Sequence, residues 1–301
     1  MSAAVDRRGL QIAVGSFVLW GVMPLYWHLL KAVPALQITL HRILWSAVLV
    51  CGWLGWTRGR GWLGAVLAQP RAAGLLAASG LLIGFNWGLY IWAVNAGHVV
   101  ESSLGYFINP LLNVVLGVLV FRERLTRLQG VSVALATLGV AWLTWRFGSP
   151  PWIALALAGS FAAYGLIRKL VAVDSVGGLA VESLYLVLPA VLLIGWSQAR
   201  GESDLAGAWW PGLDLLLVVS GVLTALPLIG FAYAVRRVPL STVGLLQYIA
   251  PTLQFLIGVL VFGEAFDRDR AIGFACIWIA LALFAGEGAW RARRRVAPVP
   301  G

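Results

Sequence analysis

The sequence predicts an all-α membrane protein of ten transmembrane helices, arranged as two inverted five-helix repeats. Three observations carry that prediction. The chain of 301 residues is 60% hydrophobic and 11% charged, with mean hydropathy +0.88, outside the range of water-soluble domains. One segment is written twice, INPLLNVVLGVLVFRE at 108–123 and IAPTLQFLIGVLVFGE at 249–264, an offset of 141 residues. The arginines and lysines gather on alternate connections between apolar runs. Helices are expected rather than barrel strands, because the runs lack period-two alternation and lipid leaves no partner for open backbone groups.

Uncharged stretches place the helices in order. The first, 9–30, is too long for a signal peptide and shows no small-residue cleavage site, so it reads as a retained helix. The second, 36–57, extends the charge-free run 43–57. Runs 72–100 and 102–121, parted only by Glu101, supply a third helix at 73–95 and a fourth at 101–121. The fifth, 127–145, and sixth, 151–169, occupy runs 128–145 and 147–167. The seventh, 178–197, is built on 183–199, and the eighth and ninth, 213–235 and 240–262, fill 215–235 and 238–263. The tenth, 270–289, contains the run 271–286. Trp209, Trp210 and Trp290 stand beside helix ends, where indoles suit the membrane interface. The repeats are then 9–145 and 146–290, followed by a basic cytoplasmic tail, 291–301.

The repeat extends beyond its strongest segment: Gly80 matches Gly221, Ala93 matches Ala234 and Val94 matches Val235, while Gly15-Ser16-Phe17 reappears as Gly159-Ser160-Phe161. Five helices is an odd number, so the second copy enters the membrane upside down. With the N-terminus inside, the inner connections hold Arg7, Arg8, Arg58, Arg60, Arg71, Arg122, Arg124, Arg127, Arg168, Lys169, Arg236, Arg237, Arg291, Arg293, Arg294 and Arg295. The outer ones hold only Lys31, Arg146, Arg200, Arg268 and Arg270, with Arg42 inside a helix. Inversion also explains why Arg122 and Arg124 become Gly263 and Ala265, with Asp267 and Asp269 appearing nearby. The net charge of +10 therefore encodes orientation and contact with anionic membrane lipids at the 291–295 tail, and no nucleic-acid partner is expected. Cys51 and Cys276 fall inside apolar helices and read as inert thiols.

Polar residues inside the spans are the functional candidates. In the fourth helix Tyr106, Asn109 and Asn113 share one face, and the offset maps them onto Gln247, Ala250 and Gln254 in the ninth. Each stripe lies beside a helix-breaking proline, Pro110 and Pro251. Matched breaks in two halves point to a substrate pathway at the repeat interface, whereas amides serving only to join helices are the plain alternative. Asn86 and Tyr90, with Trp87 nearby, form a second polar face in the third helix, while Trp92 reads as an ordinary packing residue. His41 and Arg42 lie about 9 Å into the second helix. Their equivalents are Glu182 and Ser183. His41, Arg42 and Glu182 are candidate ionisable membrane sites, with the alternative that Arg42 snorkels outward and Glu182 inward toward Arg168 or Lys169. His28 and His98 read as interfacial.

No acidic residue lies at an expected midplane, and the chain has no P-loop and no His/Asp/Glu metal cluster. Neither cofactor nor metal is expected, and no convergent nucleophile or acid–base set argues for an enzyme. A secondary transporter of a small-molecule solute by alternating access fits the inverted repeat best. An intramembrane enzyme and a structural membrane scaffold are the alternatives. The sequence is silent on the ion, if any, that drives transport, and it allows a homodimer.

The residues also resemble a known family. NWGLYIWAVNAGH at 86–98, ESSLGYFINP at 101–110 and HRILWS at 41–46 closely resemble the RarD group of EamA-type permeases in the drug/metabolite transporter superfamily. The resemblance spans about residues 9–290. It implies ten helices in two inverted EamA halves, a bacterial inner-membrane location, and export of small metabolites or drugs. The group's name is tied to chloramphenicol sensitivity or resistance. The four-helix multidrug members of the superfamily use a glutamate in their first helix; this first helix has none, so that proton-exchange mechanism does not carry over.

Overall fold

The structure is a computed structural model, and it describes residues 6–59, 61–96, 98–147, 150–200, 211–263 and 268–296. Arg60, Trp209, Trp210, Glu264, Ala265, Asp267 and the tail beyond 296 lie outside the described residues. Among the described residues the regular structure is helical throughout. In chain order the helices are α1 (Arg7–Leu29), α2 (Ala35–Arg58), α3 (Trp62–Leu67), α4 (Pro70–Asn95), α5 (Val99–Phe121) and α6 (Arg127–Phe147), then α7 (Trp152–Leu170), α8 (Ser175–Ala199), α9 (Pro211–Val235), α10 (Leu240–Gln247), α11 (Ile249–Leu260) and α12 (Arg268–Val296). Nine spans among the described residues are long and apolar enough to cross a membrane, α10 and α11 together making one; the tenth is the apolar stretch Ala271–Glu287 of α12.

Two features depart from the expected elements. The one-turn-and-a-half helix α3 occupies the connection between the second and third spans. The ninth span is broken rather than continuous, with Tyr248 between α10 and α11. Pro251 has no N–H to give the Gln247 carbonyl, and the Tyr248 N–H turns back to Leu245 O at 3.3 Å.

Local signals start the helices. Asp6 accepts hydrogen bonds from the Arg8 and Gly9 N–H groups at 2.9 and 3.2 Å, and Asp174 caps α8 in the same way through Val176 and Gly177. These ends share one face of the bundle. Asp6 lies 3.7 Å from Arg237 at the end of α9, Arg58 reaches Asp174 at 2.7 Å, and Thr126 donates to Glu287 of α12 at 2.8 Å. It is called the termini face below.

The packing is almost wholly between repeats. Helix α1 packs on α9 and α11, as its equivalent α7 packs on α4 and α5; α2 on α9 is matched by α8 on α4. The pairs α2·α8, α5·α10 and α6·α12 join equivalent helices across the pseudo-twofold axis. Exchanging the two halves thus returns the same set of contacts, as two inverted five-helix repeats require. The repeated Gly-Ser-Phe pair meets in the core: the rings of Phe17 and Phe161 lie 6.3 and 5.4 Å from that of Phe231. Small residues permit close approach. A Cβ at Gly244 of α10 would sit 2.6 Å from Pro110 O, and one at Gly139 of α6 would sit 2.7 Å from Gly273 O of α12.

Candidate solute cavity between the repeats

The fourth and ninth spans cross at Gly117, Pro110 and Gly244. On the termini-face side of the self-equivalent contact between Phe107 and Tyr248, Asn113 donates a hydrogen bond to Gln247, both buried. The equivalent pair on the other side, Tyr106 and Gln254, is not joined: Gln254 donates to Trp20 O at 3.1 Å, and Tyr106 is 45% exposed with its ring 6.1 Å from that of Tyr90. Asn109 is buried beside Pro110, its Oδ1 without a partner. Asn86 donates to Leu157 O and Ser160 Oγ at 2.8 and 2.9 Å, tying α4 to α7. The structure therefore joins Asn113 to Gln247, brings Tyr106 to Tyr90, and commits Asn86 and Gln254 to neighbouring helices.

A small cavity of about 10 Å³, room for a single water, lies on the pseudo-twofold axis between α2, α4, α7, α8 and α9, lined by Ser46, Trp87, Tyr164, Glu182, Ser183 and Thr224 among others. At one end Trp87 and Thr224 hold Arg42. The guanidinium carbon stands 4.9 Å from the Trp27 ring centre and 5.3 Å from that of Trp87, and Nε donates to Thr224 Oγ1 at 2.8 Å. At the other end, toward the termini face, Glu182 is buried. It accepts from Ser79 Oγ at 2.5 Å and from the Tyr164 hydroxyl at 3.4 Å, and pairs with the buried Arg168 at 3.4 Å. Ser79 and Trp87 are eight residues apart on α4, so the two ends are separated by about 12 Å. His41, the equivalent of Glu182, is buried, and among the described residues neither of its ring nitrogens has a hydrogen-bond partner.

The termini face is closed beneath this cavity. Glu123, just past α5, reaches across to the first turn of α10 and accepts from Leu240 N at 2.7 Å, Ser241 N at 2.9 Å and Ser241 Oγ at 2.6 Å, with Lys169 Nζ 3.4 Å away. Partial burial works against its charge, yet these donors and Lys169 prevail and hold its pKa below the ordinary carboxylate value. Arg168 also donates to Ser175 O at 3.0 Å, and Arg236 to Val173 O.

Ser79, Tyr164, Arg168, Thr224 and Trp27 were not singled out as site residues from sequence. One signal was available: the repeated Gly80 and Gly221 mark the close approaches. A Cβ at Gly80 would meet the Glu182 backbone oxygen at 3.4 Å, and one at Gly221 would meet Trp45 and Ser46. His28 stacks on Phe262 and His98 on Trp92. Cys51 and Cys276 are free and half-buried. Among the described residues, no three His, Cys, Asp or Glu side chains converge as metal ligands.

Comparison with known proteins agrees with this architecture. The EamA-like transporter family matches twice, over residues 7–145 and 150–286. Protein RarD of Streptomyces exfoliatus is 47% identical over 96% of this chain and 91% of its own. The chloramphenicol-sensitive protein RarD of Pseudomonas aeruginosa is 33% identical over 97% of this chain and 98% of its own. A solved crystal structure at 23% identity shares the fold, with TM-score 0.68 over 91% of this chain and 96% of that one. Two matched five-span halves, enclosing a cavity on their shared axis, thus stand in a chain that belongs to the EamA-like transporter family, in its RarD group.

Proposed function

We propose that the chain is a secondary transporter of the bacterial inner membrane that exports small organic solutes by alternating access, with both termini cytoplasmic. One observation carries the reading: equivalent layers of the two halves are in opposite states, Asn113 bonded to Gln247 on one side and Tyr106 separate from Gln254 on the other. Such a pair of layers around one cavity is what a rocking mechanism uses, one layer closing as the other opens. In this arrangement the layers nearer the cytoplasm are shut by Asn113–Gln247, Glu123–Ser241 and Arg168–Glu182, and the pathway faces outward through Tyr90 and Tyr106. The concentration of arginine on the termini face supports the cytoplasmic placement. No enzyme role is assigned, since Glu182 is committed to Arg168, Ser79 and Tyr164.

The deciding experiment compares cells that lack the chain with cells that overproduce it, by metabolomics of cells and medium and by chloramphenicol accumulation. Export raises specific solutes in the medium of overproducing cells and lowers them inside. Identical profiles in the two strains, with the protein verified in the membrane, would sink the reading. Chloramphenicol accumulation unchanged while other solutes move would remove the drug link alone.

A further inference from the structure

Arg42 differs from the cations that help close the termini face. Arg168 and Lys169 each have a carboxylate at 3.4 Å, whereas Arg42 has none among the described residues. Among the described residues its hydrogen bond is made through Nε, and its two terminal amino groups make none. The guanidinium is nonetheless fixed, between the indoles of Trp27 and Trp87 and tethered to Thr224. The Tyr90 and Tyr106 side chains lie within its electrostatic range, both partly exposed, and among the described residues neither hydroxyl has a hydrogen-bond partner. Four helices, drawn from both repeats, thus hold a desolvated cation in place and leave its forked end free.

A guanidinium fork held by its Nε and faces presents its remaining N–H groups in the geometry that a carboxylate takes up bidentately. The indoles stabilise the cation without neutralising it, so an anion reaching the fork meets a net positive charge in a low-dielectric setting. Glu182, about 12 Å toward the termini face, is already neutralised by Arg168 and does not oppose that anion. The open aromatic faces beside the fork suit a flat apolar body attached to the charged group.

From this we infer that Arg42, beside the cavity, is the carboxylate-binding group of the pathway that opens between the repeats, and that the carried solutes include small carboxylates with a flat apolar body. The inference rests on the transport reading above and narrows it, from small organic solutes generally to organic anions. Trp27, Trp87 and Thr224 are positioning residues that act through Arg42.

The test uses the full chain, purified and reconstituted, with two matched probe pairs: phenylacetate against phenylacetamide, and indole-3-acetate against indole-3-acetamide. Each pair keeps the body and changes only the charge. In titrations following thermal stability, and in proteoliposome flux, the carboxylates are expected to act at concentrations at least tenfold lower than the amides. Arg42→Gln should abolish that preference, Arg42→Lys should retain part of it, and Thr224→Ala should narrow it, weakening carboxylate binding more than amide binding. Equal response to acid and amide in the unmodified protein overturns the proposal, as does a folded Arg42→Gln variant that keeps the preference. If Arg42→Gln does not fold, the isostere comparison on the unmodified protein decides alone. If none of the four probes binds or moves, the proposal also falls. Chloramphenicol flux in the same proteoliposomes, and the metabolomic comparison, then show whether the transport reading falls with it.

Discussion

The two copies of the repeated segment, residues 108–123 and 249–264, share a proline at the same place and behave differently. In the first, α5 runs unbroken through Pro110 from Val99 to Phe121. In the second, the helix breaks at Tyr248, and the Tyr248 hydroxyl donates to the carbonyl of Phe107, its own equivalent, at 3.0 Å. The first copy ends with Arg122 at φ 52°, left-handed, so that Glu123 can turn back and cap α10. The second ends at Gly263, φ 67°, a conformation that glycine adopts without strain. A proline in a span only permits a break. Whether one forms depends on what the neighbouring helix offers the freed backbone. Here one half supplies a stiff rod and the other a jointed one, crossing at the same point.

Glu123 should show the largest effect. Glu123→Ala removes the acceptor for two backbone N–H groups and the Ser241 hydroxyl and the carboxylate partner of Lys169, a loss of about 2–3 kcal/mol. Thermal melting in detergent checks it. The acid dependence follows from the lowered pKa of this carboxyl. Its contribution is complete above the unfolded value of 4.5 and disappears as pH falls through the lower folded value. Melting scans from neutral to acid pH should therefore show a steeper decline for the unmodified protein than for Glu123→Gln. Parallel curves would contradict the cap.

Next in size are the equivalent amides, which sharpen the contrast between the closed and open layers. Asn113→Ala leaves the buried Gln247 without its partner and should cost about 1–3 kcal/mol. Gln254→Ala loses one bond to a helix carbonyl and should cost about 1 kcal/mol. Equal losses would mean that the two layers are not in different states. Combining Asn113→Ala with Gln254→Ala, which strips the matched position from both halves, should abolish export while expression stays normal.

A smaller difference separates the prolines. Pro251→Ala should heal the break, increasing amide-exchange protection around Gln247 and Tyr248 and slowing transport. Pro110→Ala, in a helix already continuous, should change both little. Similar responses in the two halves would erase the rod-and-joint distinction. Smallest is Arg122→Gly, which relieves left-handed strain of roughly 1 kcal/mol, partly offset by the greater freedom of glycine in the unfolded chain. A slightly raised melting temperature is expected, and a clear fall would show that the arginine side chain itself contributes.

Much of this comparison is visible in the sequence. The uncharged runs mark the spans, because burying Asp, Glu, Lys or Arg in lipid is so unfavourable that their absence is informative. The stripes containing Tyr106 and Asn113, and Gln247 and Gln254, are visible as well. Their pairing is not: a twofold axis sets the second member of one stripe against the first member of the other, which depends on where the helices cross. The break at Tyr248 was equally hidden, since both prolines have similar neighbours in the chain. For Arg42 and Glu182 the sequence left snorkelling and pairing open. What separated them lies on distant helices, Trp27, Trp87 and Thr224 for one and Ser79, Tyr164 and Arg168 for the other.

The exchange of packing partners between the halves also bears on how the molecule comes into being. Helices α1, α2, α4, α5 and α6 leave the ribosome first, and their principal neighbours are still unwritten. Until the second half is inserted, they must stand in the bilayer with lipid where helix will later be. The nascent half is therefore a set of separately inserted rods, and the tertiary structure forms only when the complement arrives. Cut at the 148–149 connection and made as two polypeptides, the halves should find each other in the membrane and restore the bundle, whereas either one alone should be cleared by proteolysis.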